Sequence, residues 1–201
     1  MDINSYVDNV CLLARESSRE ISCITQTQKD SILNDLVNEI KKNREDIKSE
    51  NKIDIEALKK SENFAESFID RLLLNDLRID AMIDSIVEII AIDDPVGDIK
   101  ELKTMPSGIK VGKMSMPLGV IAMIYESRPN VTIDASALSI KSGNSIILRG
   151  GSESIRTNIV LEKCVKKALQ ENNVNTNAVQ LINKVDRKIV NELLVRNDSI
   201  D

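Results

Sequence analysis

Two short polar stretches in this chain carry side chains able to do chemistry. Glu126-Ser127-Arg128-Pro129-Asn130 follows the apolar run Val120 to Tyr125, and Arg149-Gly150-Gly151-Ser152-Glu153 follows Ser145 to Leu148. A run that is apolar on both faces is expected of a strand buried in a parallel sheet. Parallel sheets bind ligands outside the carboxyl ends of their strands, so Glu126, Arg128 and Asn130 stand where chemistry is normally done. At the second strand end two glycines let another molecule approach the backbone closely, and Arg149 offers a fixed positive fork suited to phosphate.

The rest of the composition narrows the chemistry by exclusion. The chain has no His, which removes the usual general base, the usual triad member and the commonest metal ligand. Its three cysteines, Cys11, Cys23 and Cys164, are too far apart for a C-x-x-C or zinc spacing. All three fall within expected helices, where a thiol reads as a small buried hydrophobe. Aromatic residues are two Phe and two Tyr, and the net charge is -5, which argues against nucleic acid on both stacking and electrostatic grounds. Scattered cysteines, an N-terminus without a basic leader and the lack of a bilayer-length apolar run lead to the expectation of a cytoplasmic protein.

These residues need elements to hold them. The first ninety residues read as helices. Val7, Val10, Cys11, Ala14 and Ile21 share one helical face, and Thr27 with Asp30 is expected to cap a second helix carrying Ile32, Leu33, Leu36, Val37 and Ile40. A third helical region is expected over 54–74 and a fourth from Asn75, stopped by Asp94-Pro95-Val96-Gly97. Ile109, Val111, Met114 and Met116 then alternate like a half-exposed antiparallel strand, with a bulge at Gly112. Beyond Pro117 the order becomes strand, helix, strand, helix. Strands are expected at 120–125, 145–149 and 178–182, with helices at 131–142 and 153–170. A last helix is capped by Asp186 and carries Ile189, Val190, Leu193 and Leu194. This alternation calls for a parallel sheet with helices on both faces. Ser199-Ile200-Asp201 comes where a fourth strand would begin, so the chain reads as a fragment.

The string Pro117 to Thr132, with Lys141-Ser142-Gly143-Asn144 and Leu148 to Glu153, resembles the γ-glutamyl phosphate reductases (glutamate-5-semialdehyde dehydrogenases) of the aldehyde dehydrogenase superfamily. Leu13-Ala14-Arg15, Ile69-Asp70-Arg71-Leu72, Asp94 to Gly97 and Asp186-Arg187 occur in the family's order. The resemblance implies an α/β fold in which N-terminal helices lead into an incomplete Rossmann-like parallel sheet, with a short antiparallel arm strand. Residues 1–106 would be the helical part of the cofactor domain, 107–117 the oligomerisation arm, and 118–201 the incomplete NADPH-binding domain. The implied oxidoreductase reaction, in proline biosynthesis, is NADPH-dependent reduction of L-glutamyl 5-phosphate to L-glutamate 5-semialdehyde with release of phosphate. The family's nucleophilic cysteine would lie downstream of Asp201, so this chain alone is expected to be inactive. The alternative is a catalytically dead assembly or nucleotide-binding module. A homo-oligomer and contact with glutamate 5-kinase are the implied protein partners.

Carried over residue by residue, the resemblance places Arg149 at the cofactor's 2′-phosphate, with Gly150, Gly151, Ser152 and Glu153 lining the adenine side. It makes Asn130 an oxyanion donor, with capping of the following helix as the other reading. Arg128 is assigned to a substrate carboxylate or phosphate in bidentate fashion, with a salt bridge to Glu126 as the alternative.

Overall fold

The computed structural model describes residues 2–60 and 66–201. Five helices come first: α1 (Ile3–Ile21), α2 (Gln26–Lys42), α3 (Arg44–Lys59), α4 (Glu66–Leu72) and α5 (Asp76–Ala91). The cap of helix α2 lies two residues before the expected one. Thr25, not Thr27, accepts from the backbone N–H of Gln28, and the Gln28 side chain accepts from the Thr25 N–H. The capping box therefore belongs to Thr25 and Gln28, because a Gln at the third position reaches back where Asp30 does not. The region expected as one helix over 54–74 contains the end of α3 and all of α4, and 61–65 lie outside the described residues. Asn75 caps α5 as expected, and Ile79, Met82, Ile83 and Ile86 are buried.

The arm is a hairpin rather than one strand. β1 (Ile99–Thr104) pairs antiparallel with β2 (Lys110–Met114). β1 escaped the sequence because half of its six residues are charged, and all six are exposed. The register shift lies on β1 between Lys100 and Lys103, where Glu101 has a positive φ of 55°, and not at Gly112.

β3 (Val120–Ile124), β4 (Ser145–Arg149) and β5 (Val179–Leu181) form a parallel sheet in that order. The crossovers are α6 (Pro129–Lys141) and α7 (Ile155–Glu171), and α8 (Lys188–Leu194) follows β5. Side chains alternate across β4, so Ile146 and Leu148 join a core built with α2, α5, α6 and α7. Ile147 joins Val120, Ile182 and the α1 and α8 residues Val7, Val10, Ala14, Ile189 and Leu193. Each fully buried Ile or Leu contributes about 1.5–3 kcal/mol. On α7, Ile155 and Ile159 are half-buried, and Leu161, Val165 and Leu169 form the buried stripe. Leu194 is exposed because α8 is short, and Asp186 accepts from the Lys188 N–H one residue ahead of the cap position. The Asp201 N–H donates to Val120 O at 3.0 Å, a first rung beside the edge of β3.

Polar side chains buried between helices fix this frame. Lys29, fully buried on α2, donates to both Asp94 oxygens at 2.9 and 2.8 Å, and Lys141 on α6 reaches Asp30 at 2.7 Å and Ile90 O at 2.9 Å. Asp54 accepts from the Thr157 N–H at 2.9 Å and its hydroxyl at 2.7 Å, serving the first turn of α7 from α3. Burial holds its carboxyl above the usual range despite these bonds. Asn51 spans the Leu72 carbonyl and the Leu74 N–H, pinning the turn after α4.

Candidate functional site

The carboxyl ends of β3 and β4 open into a cleft of about 660 Å³. Its floor is Tyr125, Ser127 and the segment Arg149 to Glu153, and the far wall comes from Arg187, Lys188 and Asn191 at the start of α8. All five expected cofactor residues thus line one cavity. Arg149 is 8% exposed. Its guanidinium donates to Gly150 O and, at 3.3 Å, to Val185 O, while its buried Nε has no partner among the described residues. Leaving that donor unpaired costs about 1–3 kcal/mol, and the guanidinium places its positive charge on the cleft lining.

The two glycines have a different local reason from the one expected. A Cβ on Gly150 would come within 2.5 Å of Asn158 Nδ2, and one on Gly151 would overlap Ser127 Oγ. Their bare backbones are approached by the chain's own side chains. Those side chains form a network under the cleft. Tyr125 Oη and Thr132 Oγ1 are 2.7 Å apart, Thr132 donates to Asn158 Oδ1 at 3.0 Å, and Asn158 donates to Ser154 Oγ at 3.0 Å. Burial pushes the Tyr125 phenol up to about 12, so it stays protonated. Ser127 donates to Glu153 Oε2 at 2.7 Å. Burial alone would raise the Glu153 carboxyl, but the Ser127 hydroxyl and the Arg149 charge outweigh it and the group lies low.

Arg128 and Asn130 do not enter this cleft. They line a second one, of about 370 Å³, between α4, α5 and α6, with Arg71, Arg78, Met82, Ser85 and Asp134. The loop Glu126 to Arg128 divides the two clefts, and Arg71 bridges the division with an ion pair to Glu126 at 2.9 Å. The salt bridge expected between Arg128 and Glu126 is therefore absent, since Glu126 turns to Arg71 instead. The capping reading of Asn130 also fails. Arg128 is the cap residue and Asn130 lies inside the first turn, where its Nδ2 donates to Asp134 Oδ2 at 3.1 Å.

Of the cysteines, Cys11 and Cys164 are buried, and burial raises both thiols, Cys164 to about 12. Cys23 is exposed in the turn after α1, outside the helix expected to hold it. None of the three lines either cleft. Among the described residues no cluster could hold a metal ion, and no helix is long and apolar enough to cross a membrane. Sequence reasoning missed Ser127, Arg187, Lys188 and Asp134 as lining residues. The same strand-end rule reaches Arg187 and Lys188, which follow β5.

No family model matches the chain. A curated γ-glutamyl phosphate reductase from Colwellia psychrerythraea is 44% identical over 188 residues, covering 94% of this chain and 45% of that protein. The crystal structure of γ-glutamyl phosphate reductase from Thermotoga maritima superposes with a TM-score of 0.93 at 32% identity, over 96% of this chain and 47% of that one. A probable aldehyde dehydrogenase from Listeria monocytogenes shares the fold, with a TM-score of 0.74 at 17% identity, over 99% of this chain and 42% of that one. By sequence over nearly its whole length and by fold, the chain is similar to the γ-glutamyl phosphate reductases, and it spans about half the length of the curated relatives it matches.

Proposed function

We propose that the chain forms the N-terminal part of an enzyme that reduces L-glutamyl 5-phosphate to L-glutamate 5-semialdehyde with NADPH, releasing phosphate. The observation that carries this reading is the larger cleft, where Arg149 to Glu153 converge at the carboxyl edge of a parallel sheet. Arg149 would take the 2′-phosphate and Gly150, Gly151, Ser152 and Glu153 the adenosine side. When bound, the nicotinamide supplies hydride. The chain's own part is to hold the nucleotide and to orient the acyl end of the substrate. Asn130 has a second N–H beyond the one given to Asp134, and this is the donor assigned to the developing oxyanion. Arg128 meets the substrate's anionic end. The nucleophilic thiol is assigned to sequence outside these residues, because Cys11 and Cys164 are buried and Cys23 is remote from both clefts.

The hairpin Ile99 to Met114 exposes Ile99, Leu102, Val111 and Met114, each more than half accessible. We assign it to assembly of a homo-oligomer, since apolar strand faces of this kind are covered in stable proteins. In the intact enzyme, Arg149→Gln should lower the NADPH-over-NADH preference by about one to two decades, the worth of a charge-assisted hydrogen bond. An unchanged ratio of the two dissociation constants would reject Arg149 as the phosphate ligand.

A further inference from the structure

The smaller cleft contains more charge than its own ion pairs consume. Arg78 closes on Asp70 at 2.7 Å and on the Leu73 carbonyl at 3.1 Å, and Arg71 closes on Glu126. Those two cations are neutralised. Arg128 is exposed, and its guanidinium has no hydrogen bond or ion pair among the described residues. Asp134 is half-buried and, among the described residues, accepts only from the neutral donors Ser85 Oγ at 2.8 Å and Asn130 Nδ2 at 3.1 Å, with no cation paired to it. The bond to Asn130 ties the Asp134 carboxylate to the first turn of α6, which Arg128 precedes as the cap residue. Leu73, Leu74, Ala81 and Met82 supply an apolar wall beside the two charges. One free cation, one free anion and a short apolar wall are complementary to a carboxylate, an ammonium and the methylenes joining them to a third group.

We infer that this cleft takes the head of an α-amino acid, with Arg128 paired to the α-carboxylate and Asp134 to the α-ammonium. The inference rests on the reductase reading and adds to it the residues that select an amino-acid substrate over a plain acyl phosphate. Ser85 and Asn130 are the groups that aim the Asp134 carboxylate.

The test is a calorimetric titration of the chain with three probes: L-glutamate, glutarate, which lacks the ammonium, and 4-aminobutyrate, which lacks the α-carboxylate. L-Glutamate should bind about tenfold or more tightly than either analogue, the effect of one charge-assisted contact. Asp134→Asn should bring glutamate down to the level of glutarate and leave glutarate unchanged. Arg128→Gln should do the same relative to 4-aminobutyrate. The unsubstituted chain already decides the matter if a variant fails to fold, because the comparison of probes needs no substitution. Equal binding of glutamate and glutarate, or no binding of any probe, overturns the inference. So does an Asp134→Asn variant that folds and weakens glutamate and glutarate alike, the mark of a purely structural role. NADPH titrated into the same sample separates the two proposals. Binding of NADPH with indifference to the ammonium removes the amino-acid site and leaves the reductase reading standing. The glutamate pattern without NADPH binding removes the nucleotide cleft alone.

Discussion

Arg149, on the cleft lining, commits two guanidinium nitrogens to the carbonyls of Gly150 and Val185. Its charge is thereby fixed in place before any ligand arrives, which reduces the ordering a phosphate must impose on binding. The glycines beside it are under a harder constraint. Gly151→Ala would push a methyl into Ser127 Oγ and within 2.7 Å of Glu153 Oε2, breaking the bond between them. Overpacking of this kind costs about 1–3 kcal/mol. A urea titration should register that loss, and a variant as stable as the parent would show that the loop yields freely. The placement of Arg149 to Glu153 at a strand end was legible in the sequence because the apolar run Ser145 to Leu148 before them marks the strand. Their partners were not. Nothing in the string reveals that Glu126 turns to Arg71 on α4, 55 residues away, or that Asp134 borrows Ser85 from α5.

Among the elements, apolar periodicity located the strands and most of the helices, since burial in this fold follows the 3.6 and 2.0 repeats directly. It failed where burial does not operate. β1 is exposed throughout and is held by its pairing with β2, so its residues carry no apolar alternation to read. The buried Lys29 on α2 also ran against expectation, as lysines are almost never fully buried unless paired. Its partner Asp94 sits at the base of the hairpin, where it also accepts from the Val96 N–H at 2.9 Å. Lys29→Met leaves that carboxylate unpaired and should cost about 3 kcal/mol. Pairing it with Asp94→Leu should recover much of the loss in a thermal melt, and an additive double variant would show that the two residues do not interact. The pair also sets an acid limit. Burial tends to raise the Asp94 carboxyl, but Lys29, Val96 and Lys141 together hold it below its ordinary 3.8. The unfolded chain therefore binds the extra proton first as pH falls. The stabilisation is complete above the ordinary value and is lost as pH drops through the lowered one. Between those limits the slope of stability against pH should be shallower in Lys29→Met than in the parent, and an unchanged slope would remove Asp94 from the account.

For the molecule as a whole, helices on both faces of a three-stranded parallel sheet leave apolar surface uncovered at the hairpin and at the edge of β3, where Met123 and Ile124 are accessible and Asp201 makes a single rung. If the hairpin joins copies of this protein, Val111→Asp should shift the sedimentation profile toward a smaller species by weakening an apolar contact. An unaltered profile would assign assembly to another face. The fold class was legible because strand–helix alternation leaves few topologies. The pairing of the two clefts across one loop was not, because it depends on how α4 and α5 pack beside α6. The central claim, that the cleft at the ends of β3 and β4 holds a phosphorylated dinucleotide, is tested most directly by amide hydrogen exchange with and without NADPH. The account predicts protection at 125–128, 149–154 and 186–191. Saturating NADPH that leaves those segments exchanging as before, or protects only the cleft between α4, α5 and α6, would contradict it.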